Sequence, residues 1–523
     1  MSSETIRSVV KPSAYQDSVT LLLLARQLRS GSGVLEAAAL MATPSNKDLL
    51  EQSGLLTAEA AKAGPNDLVI AVRTESMAAA DAALAESERF LGAKQRRLEA
   101  AGRAAPRTLE SAKRHLSGAN LALISVPGAF AALEARKALR LGLHVMLFSN
   151  NVGLQDEISL KRLAVKKGLL MMGPDCGTAI LNGVPLGFAN MVPRGRIGIV
   201  SASGTGLQQV TTLLAAQGEG ISQAIGVGGR DLSEEVGGLM TFQALDALAA
   251  DPATELVAVI GKPPAPAVRG QVESRLRAIG KPCVLALLGR GVREGRDGTI
   301  HVVATLEDAA LAALALLEGQ PFAPQPFSIP PMEFRQSVED SRRALQPGQV
   351  AVRALYAGGT LAHEAVLILE SLLGPIATNL KAGSVGRHRV VDLGADEYTV
   401  GRAHPMLDAT VRVEEIRKAA QDPEVAVLLL DVVLGHGAAP DPAGDVAPAI
   451  AAAVAATRAE GRGLAVVTSV IGTASDPQDM AAQCARLEAA GAWVLPSNTQ
   501  AVRAAACIAG GKPVLARIVE GDS

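Results

Sequence analysis

Short apolar runs alternate with amphipathic stretches through the first third of the chain. Strand-like runs fall at Ser8–Val10, Leu35–Met41, Asp67–Val72, Leu121–Val126, His144–Phe148 and Gly168–Met172. Helical patterns lie between them, at Asp17–Leu28 and Ala131–Leu141 among others. This rhythm predicts a parallel, doubly wound α/β sheet over residues 1–192. Ala78–Leu116, long, Ala-rich and charged, reads as a helical insertion at about 78–117 with a solvated face.

After Pro193 the pattern changes to strand, Gly-Thr turn, helix. Arg196-Ile-Gly-Ile-Val-Ser-Ala-Ser-Gly-Thr-Gly206 has this form, and Val352-Arg-Ala-Leu-Tyr-Ala-Gly-Gly-Thr360 repeats it. The features that follow also repeat. Gly226–Asp231 matches Asp392–Asp396 as a Gly-rich acidic loop, and Asp251-Pro252 matches Asp422-Pro423. Leu256–Ile260 matches Val425–Leu430 as a buried strand, and Cys283–Gly289 matches Leu464–Gly472. The offset drifts only from 155 (Gly204 to Gly359) to 183 (Gly289 to Gly472), as expected of a duplicated domain. The expected units are therefore 193–320 and 346–523, joined by a Pro-rich linker over 321–345.

A helix that starts at a glycine turn presents unpaired N–H groups and a partial positive charge. Ser203, Gly204, Thr205 and Gly206 in one copy, and Gly358, Gly359 and Thr360 in the other, are the expected phosphate-binding residues. There is no G-x-x-x-x-G-K-[ST] motif, so the cradle is not of the nucleotide P-loop type. Gly173-Pro-Asp-Cys-Gly-Thr178 closes the sixth strand where open α/β sheets bind ligands, making Asp175 and Cys176 substrate-site candidates, with a structural or orienting role expected of Cys176. Gly228 and Gly229 of the Gly-rich loop join them. His404 and His436, on glycine-containing loops, are the candidate site histidines.

Composition narrows the classes. The net charge is −2 and aromatic residues are 2% of the 523, which leaves no basic footprint or stacking platform for nucleic acid and no basic face for membranes. The four cysteines show no metal-ligand spacing, and no metal is expected. Leu21–Leu24 is too short for a signal or spanning segment, so a cytoplasmic protein is expected.

Leu123-Ile-Ser-Val-Pro-Gly-Ala-Phe-Ala-Ala132, Gly173-Pro-Asp-Cys176, Gly198-Ile-Val-Ser-Ala-Ser-Gly-Thr205 and Gly226-Val-Gly-Gly229 resemble the α-subunit of succinyl-CoA synthetase. Asp431-Val-Val-Leu-Gly-His-Gly437 is similar to the carboxyl-terminal domain of its β-subunit. The closer resemblance, over nearly the full length, is to the FdrA family, in which these domains are fused, through Tyr15-Gln-Asp-Ser-Val19, Thr43-Pro-Ser-Asn-Lys47, Gly229-Arg-Asp-Leu232 and Tyr398-Thr-Val-Gly-Arg-Ala-His-Pro405. It implies a Rossmann-like CoA-binding-type domain followed by two flavodoxin-like domains. No histidine lies between His144 and His301, where the ligase carries its phosphohistidine. No segment is left for an ATP-grasp domain, and Lys11-Pro-Ser-Ala-Tyr-Gln-Asp17 replaces the ligase's Gly-x-Thr-Gly turn. Coenzyme A and ATP thus stand without motif support.

The resemblance implies a carbamoyltransferase of ureide breakdown, converting oxalurate and phosphate into oxamate and carbamoyl phosphate. Inorganic phosphate or carbamoyl phosphate would then be a substrate beside a small carboxylate. Arg230, Lys262 or Arg402 would neutralise the carboxylate, with His404 and His436 as further catalytic candidates. Partner subunits and a homo-oligomer are implied. The competing expectations are an acyl-CoA synthetase and a non-catalytic scaffold subunit.

Overall fold

The computed structural model describes residues 4–14, 16, 18–100, 106, 108–399 and 403–519. The chain divides into two compact units, 1–116 with 396–404, and 117–395 with 405–523. No helix among the described residues is long and apolar enough to cross a membrane.

In the first unit Thr5–Lys11 and Val34–Met41 flank Leu68–Thr74, and both pair with it antiparallel. The outer strands therefore run parallel to each other through the helix Ser18–Arg29, and the third strand inserts between them. The parallel sheet expected from position 8 onward does not form here. Strand–helix rhythm carries no strand direction, and a split βαβ unit has the same rhythm. Nor does the charged stretch leave the sheet. The helix Met77–Ala100 buries Ala80, Ala83 and Leu84 against Leu21, Leu24, Leu28 and Ile70.

The second unit begins with three parallel strands, Leu121–Ile124, His144–Leu147 and Met171–Met172. The hairpin Thr178–Leu181/Val184–Gly187 then joins an eight-stranded sheet by pairing with Ile221–Gly226. From there the order runs Arg194–Ser201, Leu256–Gly261, Cys283–Leu287, Ile300–Val302 and Gly295–Asp297. The six-stranded sheet has the same internal order: His388–Asp392, Ala351–Tyr356, Val425–Val433, Ala465–Ile471, Ala492–Leu495, with Ile376–Thr378 added at one edge. The two copies therefore match in topology as well as in sequence order.

Central strands such as Leu256–Gly261 and Val425–Val433 are buried throughout, as parallel strands covered on both faces must be. The helices Gly204–Ala216, Leu306–Leu317, Gly359–Leu373 and Asn498–Gly510 pack on one another and share one continuous core with both sheets. The linker is part of that core. Phe327 stacks on Phe334 with centroids 3.5 Å apart, and Phe334, in the helix Pro331–Arg343, meets Trp493. At the junction, buried Tyr356 donates to Asn498, which donates in turn to the Glu364 carboxyl at 2.7 Å.

Candidate functional site

The strand Arg194–Ser201 delivers Ser203 to the N-cap of the helix Gly204–Ala216 in extended conformation. Ser203 Oγ accepts from Gly206 N at 2.9 Å and donates to Thr360 Oγ1 at 2.6 Å. Thr360 is the second residue of the helix Gly359–Leu373, so the two Gly-Thr turns meet at their helix ends. The glycines make that approach possible. A Cβ on Gly358 would lie 3.0 Å from Thr205 Cβ, and one on Gly206 would lie 2.7 Å from Ser203 Oγ. Two helix N-termini side by side concentrate partial positive charge at one place.

Part of that charge is already answered. Ala357 N and Gly358 N donate to the two oxygens of the buried Asp431 carboxylate, each at 2.8 Å, and Arg412 pairs with it at 2.6 Å. The Gly358 N–H is therefore not available to a phosphate, contrary to expectation. Its role is to admit Thr205. Gly359 faces Asp392 instead, whose Oδ2 is 2.6 Å from where a Cβ would stand. Burial pushes the Asp392 carboxyl up to about 6; the Gly394 N–H and Lys262 oppose the rise, and Asp431 and Asp175 add to it. Lys262 and Asp175, both exposed, thus act on the same carboxyl at the second helix end.

The loop after Ile221–Gly226 interlocks with the Gly173–Cys176 turn. Gly228 has φ +87°, and a Cβ there would sit 2.4 Å from Pro174 O, so its glycine serves packing. Cys176 is buried with Sγ 3.4 Å from Gly226 O, and burial pushes its thiol up to about 12. That makes it a clamp rather than a nucleophile. Gly229 is exposed. Arg230 is held by Glu157 at 2.8 Å and by the Val152 carbonyl at 2.8 Å. Beneath it Lys161, fully buried, bridges Glu157 (2.8 Å), Asp231 (2.7 Å) and Val227 O (3.0 Å). This network sets the loop's shape, and the sequence reading missed it. Its available signal was the i,i+4 pair Glu157–Lys161 on the helix Leu154–Lys167.

His436 is exposed, its N–H bonded to Ala189 O at 2.8 Å and Nε2 3.2 Å from Met191 Sδ. The same segment reaches the first helix end, because Thr178 Oγ1 donates to Phe188 O and lies 3.2 Å from a Cβ built on Gly204. His404 belongs to the first compact unit, and Arg402 lies outside the described residues. His363, one turn into the second helix, was not among the candidates. Its Nε2 donates to Leu288 O at 3.2 Å, and burial, with the Lys262 charge, lowers its pKa.

Residues 193–287 match the CoA binding domain family and residues 355–508 the CoA-ligase family. Residues 1–107 match the AllF heavy metal-associated domain. That segment contains neither Cys nor His, and no cluster of three or more His, Cys, Asp or Glu among the described residues could hold a metal. The donor set does not fit a heavy metal.

The chain is 42% identical over 504 residues to the uncharacterized protein YahF of Escherichia coli K12, covering 95% of this chain and 97% of YahF. It is 30% identical over 194 residues to the α-subunit of the ADP-forming succinate–CoA ligase of Aquifex aeolicus, covering 35% of this chain and 62% of the subunit. It is 27% identical over 191 residues to the ADP-forming sulfoacetate-CoA ligase subunit SauD of Bilophila wadsworthia, with 34% and 62% covered. Among solved structures, the dinucleotide-forming acetyl-coenzyme A synthetase 1 of Ca. Korarchaeum cryptofilum in complex with phosphate and ADP matches with a TM-score of 0.28 and 16% identity, covering 77% and 83% of the two chains. The expected carbamoyltransferase class is overturned, since these relatives with a named activity are CoA ligases and the matched domains are CoA-binding and CoA-ligase domains. Both matched segments belong to domain families described by coenzyme A, a ligand for which the motifs gave no support.

Proposed function

The chain belongs to the family of YahF, and from that membership, together with its CoA-binding and CoA-ligase segments, we propose that it is the acyl-transfer core of an acyl-CoA ligase. In this reading the two joined helix ends hold the phosphate of an acyl phosphate. The observation that carries it is the 2.6 Å bond between Ser203 Oγ and Thr360 Oγ1, which holds both helix N-termini at one place. Gly204 and Thr205 bind the anion through their backbone N–H groups and Thr360 through its hydroxyl, while Ser203 and Gly206, already bonded to each other, hold the turn in place. Lys262 adds the mobile cation.

Coenzyme A, a co-substrate, would supply the acceptor thiol. The helix ends stabilise phosphate as the acyl C–O bond breaks, and Asp392, with its carboxyl raised to about 6, takes or returns one proton near neutral pH. Nucleotide activation falls to a partner subunit, because 193–287 and 355–508 are already committed to CoA-type segments. The fusion of these segments is FdrA-type, and the AllF-type first unit favours a place in allantoin breakdown.

The test is thioester formation from ATP, coenzyme A and a panel of carboxylic acids, by the chain alone and with co-purified partners, beside phosphate titration by calorimetry. Saturable phosphate binding that Ser203→Ala weakens, together with thioester formation, is the expected result. Absence of both phosphate binding and thioester formation would overturn the reading.

A further inference from the structure

The two cradle helices, Gly204–Ala216 and Gly359–Leu373, reach across the repeats a second time through their sixth residues, Gln209 and Glu364. Gln209 Oε1 accepts at 3.0 Å from the N–H of Asn498, the first residue of the helix Asn498–Gly510 in the second repeat. Glu364 Oε1 accepts at 2.7 Å from the N–H of Leu306, the first residue of the helix Leu306–Leu317 in the first repeat. In each of these helices the N-cap side chain serves the third N–H, Ser497 that of Gln500 and Thr305 that of Asp308. The first N–H is thereby left to the opposite repeat. The bonds are reciprocal, and all four residues that make them are buried.

Both bonds meet at Asn498. Its side-chain oxygen accepts from the Tyr356 hydroxyl at 2.8 Å and its Nδ2 donates to Leu361 O at 3.1 Å, which fixes the orientation of the amide. The same Nδ2 donates to Glu364 Oε2 at 2.7 Å. Gln209, Asn498 and Glu364 thus form one buried chain from one cradle helix to the other. Glu364 meets donors on both oxygens, because Thr499 Oγ1 also lies 3.2 Å from Oε1, and this suits a carboxylate rather than an amide. The chain lies below the Ser203–Thr360 bond, six residues on from Ser203 and four on from Thr360. At 1.5 Å per residue that is roughly 6 to 9 Å along the helix axes. Helices joined at one point can pivot about it, whereas helices joined at two points along their length keep both N-termini on one spot.

We infer that Gln209, Asn498 and Glu364 are positioning residues of the cradle. They form a second clamp that fixes the angle between the two helices and so aims both sets of N–H groups at one anion. The inference rests on the acyl-CoA ligase reading for the part the anion plays in the reaction, but the aim of the helix ends can be read without any ligand.

The polarity of the clamp supplies the test. Glu364→Gln keeps the shape but turns an amide N–H toward the Asn498 N–H. Adding Asn498→Asp returns an acceptor opposite that N–H, with the one carboxylate moved to the other side of the bond. Inorganic phosphate affinity is measured by calorimetry on each folded full-length variant. Helix-end alignment is measured separately in each background, as the rate at which diamide closes a disulfide between Ser203→Cys and Thr360→Cys. Glu364→Gln and, independently, Gln209→Leu should each weaken phosphate binding about fivefold or more and slow cross-linking by a similar factor. Glu364→Gln with Asn498→Asp should return both to within about twofold of the parent. Residues that only add stability would lower the urea midpoint when replaced and leave both readouts unchanged, and that result overturns the inference. A double variant no better than Glu364→Gln alone overturns it as well. If the parent binds no phosphate, the ligase reading fails while the cross-linking rates still decide the clamp.

Discussion

Ser203 Oγ and Thr360 Oγ1, 157 residues apart, share a 2.6 Å hydrogen bond that fastens one helix N-terminus to another. Ser203 does two jobs, since it also caps its own helix through Gly206 N. Ser203→Ala should therefore destabilise more than Thr360→Val. Loss of a cap costs about 0.5–2 kcal/mol, and loss of one net hydrogen bond about 0.5–1.5 kcal/mol. Urea unfolding of both variants measures the difference. Equal effects would mean that the cap contributes nothing.

The glycines at the two turns answer to different neighbours. A methyl group on Gly358 meets Thr205 Cβ at 3.0 Å and Leu361 Cδ1 at 2.9 Å, whereas the nearest atom to one on Gly204 is the Thr178 hydroxyl at 3.2 Å. Gly358→Ala must push the helix ends apart, at about 1–3 kcal/mol for overpacking. Gly204→Ala should stay within about 1 kcal/mol. Phosphate affinity should fall in the first and hold in the second, read by titration of each folded variant.

Lys161 neutralises two carboxylates in a fully buried place, Glu157 and Asp231. Removing one partner from such a cluster strands a charge in low dielectric, and about 3–5 kcal/mol is the usual loss. Lys161→Met should show that loss in chemical denaturation. Adding Asp231→Asn should recover part of it. If the double variant is no more stable than the single one, the cluster does not act as a charge unit.

How much of this was legible depended on the range of each interaction. The Gly-Thr turns and the duplicated order were visible because a tight βα turn imposes its residues locally. The partners that finish the site were not. Lys161 reaches Asp231 across 70 residues, and Asp431 takes up Ala357 and Gly358 from 74 and 73 residues away. An isolated charge in a sequence reads as a solvated face, and only the fold reveals its burial. Gly358 was recognised as special, but its purpose is contact with Thr205 rather than anion binding. Strand direction was illegible for the same physical reason: Leu68–Thr74 has the apolar run of a central strand whether its neighbours run parallel or antiparallel.

Cys176 stands in the middle of the site's most ligand-like sequence, yet burial raises its thiol to about 12, as it does for Cys283 and Cys507. Cys484 is half-buried, and its smaller rise again comes chiefly from burial. At pH 8 a thiol-disulfide reagent should therefore modify Cys484 alone in the native protein, and all four cysteines in urea. Cys176→Ala should leave phosphate affinity unchanged. Rapid native modification of Cys176, located by peptide mass spectrometry, would restore it as a reactive group.

Asp392 is raised from its ordinary 3.8 to about 6, chiefly by burial, so the folded protein resists its ionisation. Below pH 3.8 the carboxyl is protonated in both folded and unfolded chains and has no linkage effect. As pH rises from 3.8 to 6 the unfolded chain releases the proton first, and folding loses stability. Above about 6 the loss is complete, on the order of 3 kcal/mol for a rise of this size. Asn at this position can still accept from Gly394 N, as Asp392 Oδ1 does at 2.9 Å, and it cannot ionise. Asp392→Asn should therefore be more stable than the parent at pH 8, with most of that difference gone at pH 4, measured by urea midpoints at each pH. The same substitution should remove any limb near pH 6 from the rate profile of acyl transfer, because the group that exchanges the proton is gone. Equal stabilities at both pH values, with the limb intact, would show that the proton is handled elsewhere and that Asp392 only shapes the approach to Gly359.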